Sequence, residues 1–369
     1  MYIFNGISSW LDYKLRNVLA ENNVDHVLES SEICARKLET VPCDDNTVLL
    51  KLDVAKFFIC GLKEQLIMDA LHFVQDRKLR ELMREVLDFV LENQWVKSEV
   101  MKNKSFKSIL GTGMGIKHSG TLATVCFWSR CEKDFACDRS LWEYYGIRDY
   151  MRYHDDILIP IQNCSLKIQE FVEKITKMAD YYVLEVEEIG RCVRYLDLSV
   201  KVMGSRILCA PTFKETSLLV PLSYSSMHPR QIHDFWQIAC IKRMYSKSSV
   251  FQDAESAKET FIQRFVDFGA PEHLIRRMRM TTNAYTKRND KDNKEGDTIW
   301  LPLPYHWAWE KRIKSEVDNF CKSDSRMSLL DVSFSNSLRS VAKPQARICW
   351  KNSTPNLMKR TSSAASIRN

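Results

Sequence analysis

Residues 47–55 read TVLLKLDVA and residues 148–161 read RDYMRYHDDILIPI, and these two stretches decide the fold. Both are rich in apolar and β-branched residues, which is typical of buried strands. Each nevertheless contains aspartate, Asp53 in the first and Asp155 with Asp156 in the second. Burying an unpaired carboxylate is costly, and adjacent carboxylates repel each other. A divalent cation with oxygen ligands would resolve both problems, so the pattern indicates a metal site. A cap or an ion-pair partner remains the alternative for Asp53.

The segments around these strands predict an α+β fold. Residues 63–96 are amphipathic and fit two packed helices, and residues 97–110 fit a hairpin. A glycine-rich loop, GTGMGIKHSG at 111–120, precedes an apolar helix, and another helix follows from about Ser165 to Tyr181. Three short strands then predict antiparallel pairing, YYVLEVEEIG, VRYLDLSVKVMG and RILCAPTF. The pattern turns helical again from Pro229 to Arg279.

Composition narrows the class of protein. The chain has 369 residues, of which 45% are apolar and 27% charged, and this is ordinary for folded domains. The net charge of +7 allows a nucleic-acid partner without requiring one. Twelve cysteines occur without a CxxC pair, so we expect reduced thiols in an intracellular protein rather than a zinc site. We find no secretory signal and no apolar stretch long enough to cross a membrane.

The acids and the glycine loop occur in an order that resembles reverse transcriptases. LLKLDVAKFF (49–58) resembles polymerase motif A, GTGMGIKHSGTLATVCF (111–127) resembles motif B, and YMRYHDDILI (150–159) resembles motif C with its Tyr-x-Asp-Asp core. VRYLDLSV (193–200) looks like the primer-grip region.

The resemblance extends to the thumb of Penelope-like retroelements and related eukaryotic reverse transcriptases. It is carried by SYSSMHPRQIHDFWQIACIKRMYSKSS, FIQRFVDFGAPEHLI and, after the thumb, WLPLPYHWAW. It implies a polymerase palm, with an antiparallel sheet backed by helices, followed by a helical thumb. The expected boundaries are a remnant of the fingers at 1–45, palm at 46–215, thumb at 216–285, and a charged linker with a partly disordered extension at 286–369.

The resemblance implies an RNA-directed DNA polymerase that transfers nucleotides to a primer 3′-hydroxyl with two Mg²⁺ ions, or with Mn²⁺. Asp53 and Asp155 would bridge both ions, and the carbonyl of Val54 would face one of them. Asp156 would be a supporting ligand or, alternatively, structural. The implied partners are an RNA or DNA template with its primer and deoxynucleoside triphosphates, in an intracellular, nuclear setting without a membrane partner.

Other residues take roles by the same resemblance. Phe58 would be the steric gate that excludes a ribose 2′-hydroxyl, although an aromatic residue at that spacing could also be core. Met114 and Gly115 would lie against the nascent base pair, or form a plain loop before a helix. Tyr153 would flank the primer end, or pack in the core.

Basic and aromatic residues of the thumb suggest a grip on nucleic acid. They are Trp236, Lys242, Arg243 and Lys247, with a second basic cluster at Arg276, Arg277 and Arg279. A solvated helix face explains the same charges.

The sequence departs from the family in two places. Only 52 residues precede Asp53, so we expect truncated fingers, and motif B has Ser119-Gly120 where a serine-proline pair is usual. A non-catalytic nucleic-acid-binding remnant with a palm fold is therefore an alternative. A third hypothesis, an unrelated helical protein, would separate Asp53 from Asp155 in space.

Overall fold

The computed structural model describes residues 5–98, 100–101, 104–113, 115–213, 222, 226, 230–282, 299–304, 330–337 and 345–352. It divides into two units, Met1–Pro221 with Ile238–Thr281, and Leu222–Gln237 with Thr282–Asn369.

The helices are α1 (Asn5–Glu21), α2 (Ser31–Thr40), α3 (Lys63–Leu71), α4 (Arg77–Glu92), α5 (Ser119–Phe127), α6 (Arg139–Tyr145), α7 (Ser165–Ala179), α8 (Arg230–Ser246), α9 (Phe251–Asp267) and α10 (Glu272–Arg279). The strands of the first unit are β1 (Thr47–Ala55), β2 (Trp95–Ser98), β3 (Lys104–Lys107), β4 (Met151–Tyr153), β5 (Asp156–Gln162), β6 (Val183–Gly190), β7 (Cys192–Tyr195), β8 (Leu198–Met203) and β9 (Arg206–Pro211). The second unit contains β10 (Ile299–Pro304), β11 (Leu330–Ser337) and β12 (Gln345–Asn352).

The central sheet is antiparallel, with the strand order β4-β5-β1-β6. The two stretches of sequence that carry the aspartates are therefore neighbouring strands. Side chains alternate between the faces of a strand, so Leu50 and Leu52 face one way while Leu49 and Asp53 face the other. Both faces are covered, which explains why β1 and β5 are apolar almost throughout.

Helices cover one face of the central sheet. Leu52 and Ile157 join a core cluster with Phe127, which ends α5, and with Phe171 and Ile175 of α7. A one-turn 3-10 helix, Phe57–Ile59, and a π-helical turn, Trp128–Glu132, border this cluster. Helices α1, α3, α4 and α5 form a second cluster around Leu15, Leu87 and Leu122.

A second sheet, β7-β8-β9, covers the other face together with α2. Leu49 and Leu158 of the central sheet pack there with Val200 of β8 and Leu38 of α2. The α+β class predicted from the sequence is confirmed, with antiparallel sheets backed by helices.

One strand prediction is wrong. VRYLDLSVKVMG forms two strands, β7 and β8, because the chain reverses at Leu196, whose φ is +55°. The hairpin expected in residues 97–110 is confirmed as β2 and β3. The two helices expected in residues 63–96 are confirmed as α3 and α4.

The second unit contains an antiparallel sheet in the order β10-β12-β11. The predicted charged linker at 286–298 lies outside the described residues, and the domain boundaries at 45, 215 and 285 stay predictions. The ten cysteines from Cys34 to Cys240 are free thiols. No described helix is long and apolar enough to cross a bilayer.

Candidate active site

The backbone brings the three aspartates together at one end of the central sheet. Asp53 in β1 is the cross-strand partner of Asp156 in β5. Asp155 occupies the turn between β4 and β5, where its carbonyl accepts a hydrogen bond from the amide of Val54 at 3.0 Å. Directly opposed residues on antiparallel strands have Cβ atoms about 5 Å apart. The third hypothesis, which required Asp53 to be distant from Asp155, is therefore wrong.

Further acids of β6 make this end of the sheet strongly negative. On the other side of β1, Asp53 is the cross-strand partner of Glu185 in β6. The Lys51 ammonium contacts Glu187 and lies 3.8 Å from an oxygen of Asp156. Five carboxylates thus share this end of the sheet with one close ammonium, so the charges are only partly balanced.

The imbalance changes the acidity of two aspartates. Burial raises the pKa of Asp53, and the charge of Asp155 raises it further. Burial raises the pKa of Asp156 to about 6, although Lys51 opposes the shift, and the charge of Asp155 adds to it. Both shifts mean that ionised carboxylates are poorly stabilised by the protein alone.

The chemical type of the candidate ligand atoms suits a hard divalent cation. Asp53, Asp155 and Asp156 supply carboxylate oxygens, which Mg²⁺ and Mn²⁺ prefer. Val54, whose carbonyl is the fourth candidate ligand, is paired with Leu184 of β6. Among the described residues, no three Asp, Glu, His or Cys side chains already converge closely enough to hold an ion. Carboxylate rotation would therefore have to complete any such site.

Phe58 lies next to the hairpin that carries Asp155. Its ring is half-buried, and its centroid is 5.8 Å from that of His154 in the β4–β5 turn. It also packs edge-on against Phe57, at 5.2 Å. Phe58 is thus both near the acids and partly in the core, so the steric-gate role stays a prediction.

The glycine loop is fastened to the turn that carries Phe58. The amide of Thr112 donates to the carbonyl of Phe58 at 2.8 Å. Gly111 has φ +73°, and a Cβ there would lie 2.3 Å from the Phe58 carbonyl oxygen. Gly115 is exposed and has φ +88°, and no described residue lies within 4 Å of a Cβ position there. Met114 lies outside the described residues.

His154 lies close to Gly120, which stands where the resemblance predicts a proline. A Cβ on Gly120 would lie 3.2 Å from Cε1 of His154, which is tighter than most real contacts. A larger residue at 120 would therefore press on this imidazole. Tyr153 packs partly buried against the cluster of the second sheet, and its ring centroid is 4.9 Å from that of His154.

Sequence reasoning missed a buried ion pair behind the β4–β5 turn. The side chains of Arg152 and Glu132 are both fully buried and form two hydrogen bonds, at 2.6 and 2.7 Å. His26 and Tyr150 complete the contacts of the Glu132 carboxylate, at 3.0 and 2.7 Å. Burial opposes ionisation of Glu132, but Arg152 and His26 hold its pKa far below the usual range. The available sequence signal for this ion pair was a charged residue within an apolar stretch, Arg152 in one stretch and Glu132 in the other.

The Arg152 guanidinium also holds the candidate catalytic turn. It donates to the carbonyl of His154 at 3.0 Å and to that of Thr124 in α5 at 3.4 Å. The turn before Asp155 is thereby fixed against α5.

Residues 193–200, which the resemblance predicts to be a primer grip, contact the candidate site through Tyr195, which sequence reasoning did not single out. Its hydroxyl donates to the carbonyl of Asp156 at 3.0 Å, and the residue is fully buried. The second sheet thus supports the strand that carries Asp156.

Four residues of the expected thumb are predicted to bind nucleic acid, and their environments differ. Lys247 is 5% exposed and forms an ion pair with Asp197, so the structure favours an intramolecular role for it. Arg243 is more exposed and pairs with Glu32. Lys242 is half-buried in α8. Trp236 lies in the part of α8 that belongs to the second unit. Their roles stay predictions.

The second basic cluster forms the last turn of α10. Arg279 lies 3.8 Å from Glu259. Both side chains are largely exposed, which leaves the interpretation as a solvated face open.

No protein-family model and no curated protein matches the chain. Solved structures that resemble it include telomerase from Candida albicans in complex with a fragment of telomeric RNA, with 10% identity, a TM-score of 0.48, and coverage of 72% of this chain and 48% of that one. An RdRp complex has 8% identity and a TM-score of 0.43, and covers 94% of this chain and 28% of its own. The BmCPV RNA-dependent RNA polymerase at quiescent state has 10% identity and a TM-score of 0.40, with the same coverage. The chain spans half the length of these structures or less, and at these scores the likeness does not establish a common fold.

Proposed function

We propose that this chain carries the palm and thumb of a template-directed polymerase, specifically a reverse transcriptase of the Penelope-like kind. The observation that carries the proposal is the register of β1 and β5, which pairs Asp53 with Asp156 beside Asp155. The order of the motifs along the sequence supports the same conclusion.

Asp53, Asp155 and Asp156, with the carbonyl of Val54, would hold two Mg²⁺ or Mn²⁺ ions. When bound, such ions activate a primer 3′-hydroxyl and neutralise charge on the attacked phosphate. The protein's own contribution is positioning. Arg152 and Tyr195 hold the turn and the strand that carry the acids.

The proposed substrates are deoxynucleoside triphosphates on a primed RNA or DNA template. Phe58 would lie beneath the sugar and exclude the 2′-hydroxyl. Gly115 offers open space in which a base pair could approach the backbone. The proposed location is the nucleus.

Primer extension on an RNA template tests the proposal. The chain, a labelled primer, deoxynucleotides and Mg²⁺ or Mn²⁺ should give extension products. Asp53→Asn and Asp155→Asn should each lower the rate at least about a hundredfold, since each removes charge that stabilises the transition state. Asp45→Asn is the matched control, because Asp45 belongs to an exposed Asp-Asp pair.

Two results would contradict the assignment. Extension that survives both substitutions would exclude these carboxylates as the metal ligands. Tight binding of the primed template without any extension would favour the non-catalytic remnant.

A further inference from the structure

One buried peptide group joins three segments beside the proposed gate. The amide of Thr112 donates to the carbonyl of Phe58 at 2.8 Å. The carbonyl of Thr112 accepts from Nε2 of Gln94 at 3.0 Å and from Oγ of Ser119 at 2.7 Å. Thr112, Ser119 and Gln94 are each at least 95% buried, so water cannot replace a lost partner without rearrangement.

Gln94 is itself fixed in place. It precedes β2, and its carbonyl accepts from the amide of Ser108 at 2.9 Å, at the base of the β2–β3 hairpin. Its Oε1 is buried and has no hydrogen-bond partner among the described residues. The reversed orientation of the amide would bring Oε1 against the carbonyl of Thr112, two acceptors together, so donation by Nε2 determines the orientation.

The turn that carries Phe58 cannot shift independently of this peptide. Both the amide and the hydroxyl of Thr112 bind the Phe58 carbonyl, at 2.8 and 3.4 Å. Gly111 lies directly behind, close to the backbone of Ile59. A displacement of Thr112 would therefore move the Phe58 backbone.

We infer that Gln94, acting through Thr112, is a positioning residue for Phe58 and a determinant of the choice between deoxyribose and ribose. The inference rests on the proposed function, because it concerns the sugar that this site accepts. Gln94 itself contacts neither substrate nor metal. It acts by holding Thr112, which holds the ring that would exclude the 2′-hydroxyl.

The test removes the donor and keeps the approximate size of the side chain. Gln94→Met loses the Nε2 donor, whereas a buried glutamate would be protonated and would donate again. Asn93→Leu is the matched control, because Asn93 is the neighbouring amide, is exposed, and donates instead to Phe89. Ser119→Ala removes the second donor to the carbonyl of Thr112. Thermal unfolding of each variant shows whether it is folded.

Two measurements are needed. Hydrogen exchange at the Thr112 amide should become about tenfold faster in Gln94→Met, corresponding to one weakened buried hydrogen bond, and should stay within about twofold in Asn93→Leu. The ratio of kcat/KM for a deoxynucleotide to that for the matching ribonucleotide should fall about tenfold in Gln94→Met. A merely structural loss would lower both values and leave the ratio unchanged.

The outcomes separate the two proposals. Unchanged exchange at Thr112 overturns the inference, whether or not the chain polymerises. Faster exchange with an unchanged sugar ratio also overturns it, while extension by the parent chain keeps the polymerase function. Absence of extension by the parent chain counts against the proposed function and removes the sugar choice that the inference explains.

Discussion

At the scale of single residues, Asp156 shows how the candidate site couples acidity to stability. Burial and neighbouring acids raise its pKa to about 6, whereas an aspartate in an unfolded chain has a pKa of about 4. The folded protein therefore binds this proton more tightly than the unfolded chain does. The resulting stabilisation is complete below pH of about 4 and is lost as the pH rises through about 6.

We expect Asp156→Asn to stabilise the metal-free protein at pH 7 by about 1–2 kcal/mol, because the amide carries no charge to desolvate. The gain should disappear near pH 4, where the wild-type carboxyl is protonated. Thermal unfolding in a chelator at both pH values measures the difference. Equal stability of the two proteins at pH 7 would show that Lys51 already balances this charge.

The buried pair of Arg152 and Glu132 makes a second prediction. Glu132→Gln leaves a buried guanidinium without its counter-charge and should lower the free energy of unfolding by about 3–5 kcal/mol. Adding Arg152→Met should restore much of the loss, because methionine suits the neighbouring rings of Phe57 and Phe127. Denaturant unfolding of both variants measures this.

The exposed Glu173→Gln is the control for that pair, and it should change stability by no more than about 0.5 kcal/mol. If the double variant is no more stable than Glu132→Gln, the charge of Arg152 is not the source of the loss.

At the scale of elements, the glycine loop depends on the missing side chain at 111. Gly111→Ala should cost more than Gly204→Ala, although both residues have positive φ. Alanine at 204 would meet no atom of the described ranges within 4 Å and should cost about 1 kcal/mol for its backbone conformation alone. Alanine at 111 would collide with the Phe58 backbone, so a further loss of about 2 kcal/mol is expected from strain. Equal losses in denaturant unfolding would contradict the close packing of loop and turn.

Several elements could be predicted because their signals are local. The apolar run around Asp53 identifies β1, and the apolar run after Asp156 identifies β5. The turn at Leu196 was missed because YLDL contains neither glycine nor proline, and the fold imposes the positive φ there.

The candidate site was predictable only in part. The resemblance implied that the three aspartates meet, and the structure brings them together; their roles stay predictions. The partners of Arg152 and Lys247 were not predictable, because Glu132 and Asp197 reach them only through tertiary packing. The position of a lysine in the sequence does not reveal whether its ammonium already forms an ion pair within the chain.

At the scale of the whole first unit, two sheets meet at Tyr195. We expect Tyr195→Phe to lower the free energy of unfolding by about 1 kcal/mol, because the carbonyl of Asp156 loses a buried donor. Primer extension should also slow, since the strand that carries Asp156 loses support. Tyr144→Phe is the control, as its hydroxyl is exposed and bonds only weakly, at 3.3 Å to Glu170. If Tyr195→Phe matches this control in both assays, the hydrogen bond from the second sheet contributes neither to stability nor to catalysis.

The β2–β3 hairpin affects how the protein should be handled in solution. A sheet of two strands leaves outer edges with N–H and C=O groups that another molecule could pair with, and within the described residues no third strand joins these two. Lys97 and Lys104 lie along these edges among exposed Val96 and Phe106, and such charges disfavour intermolecular pairing. Concentrated salt screens charges beyond a few ångströms. Storage at high ionic strength would therefore encourage aggregation through this hairpin, whereas dilute buffer would keep the molecules apart.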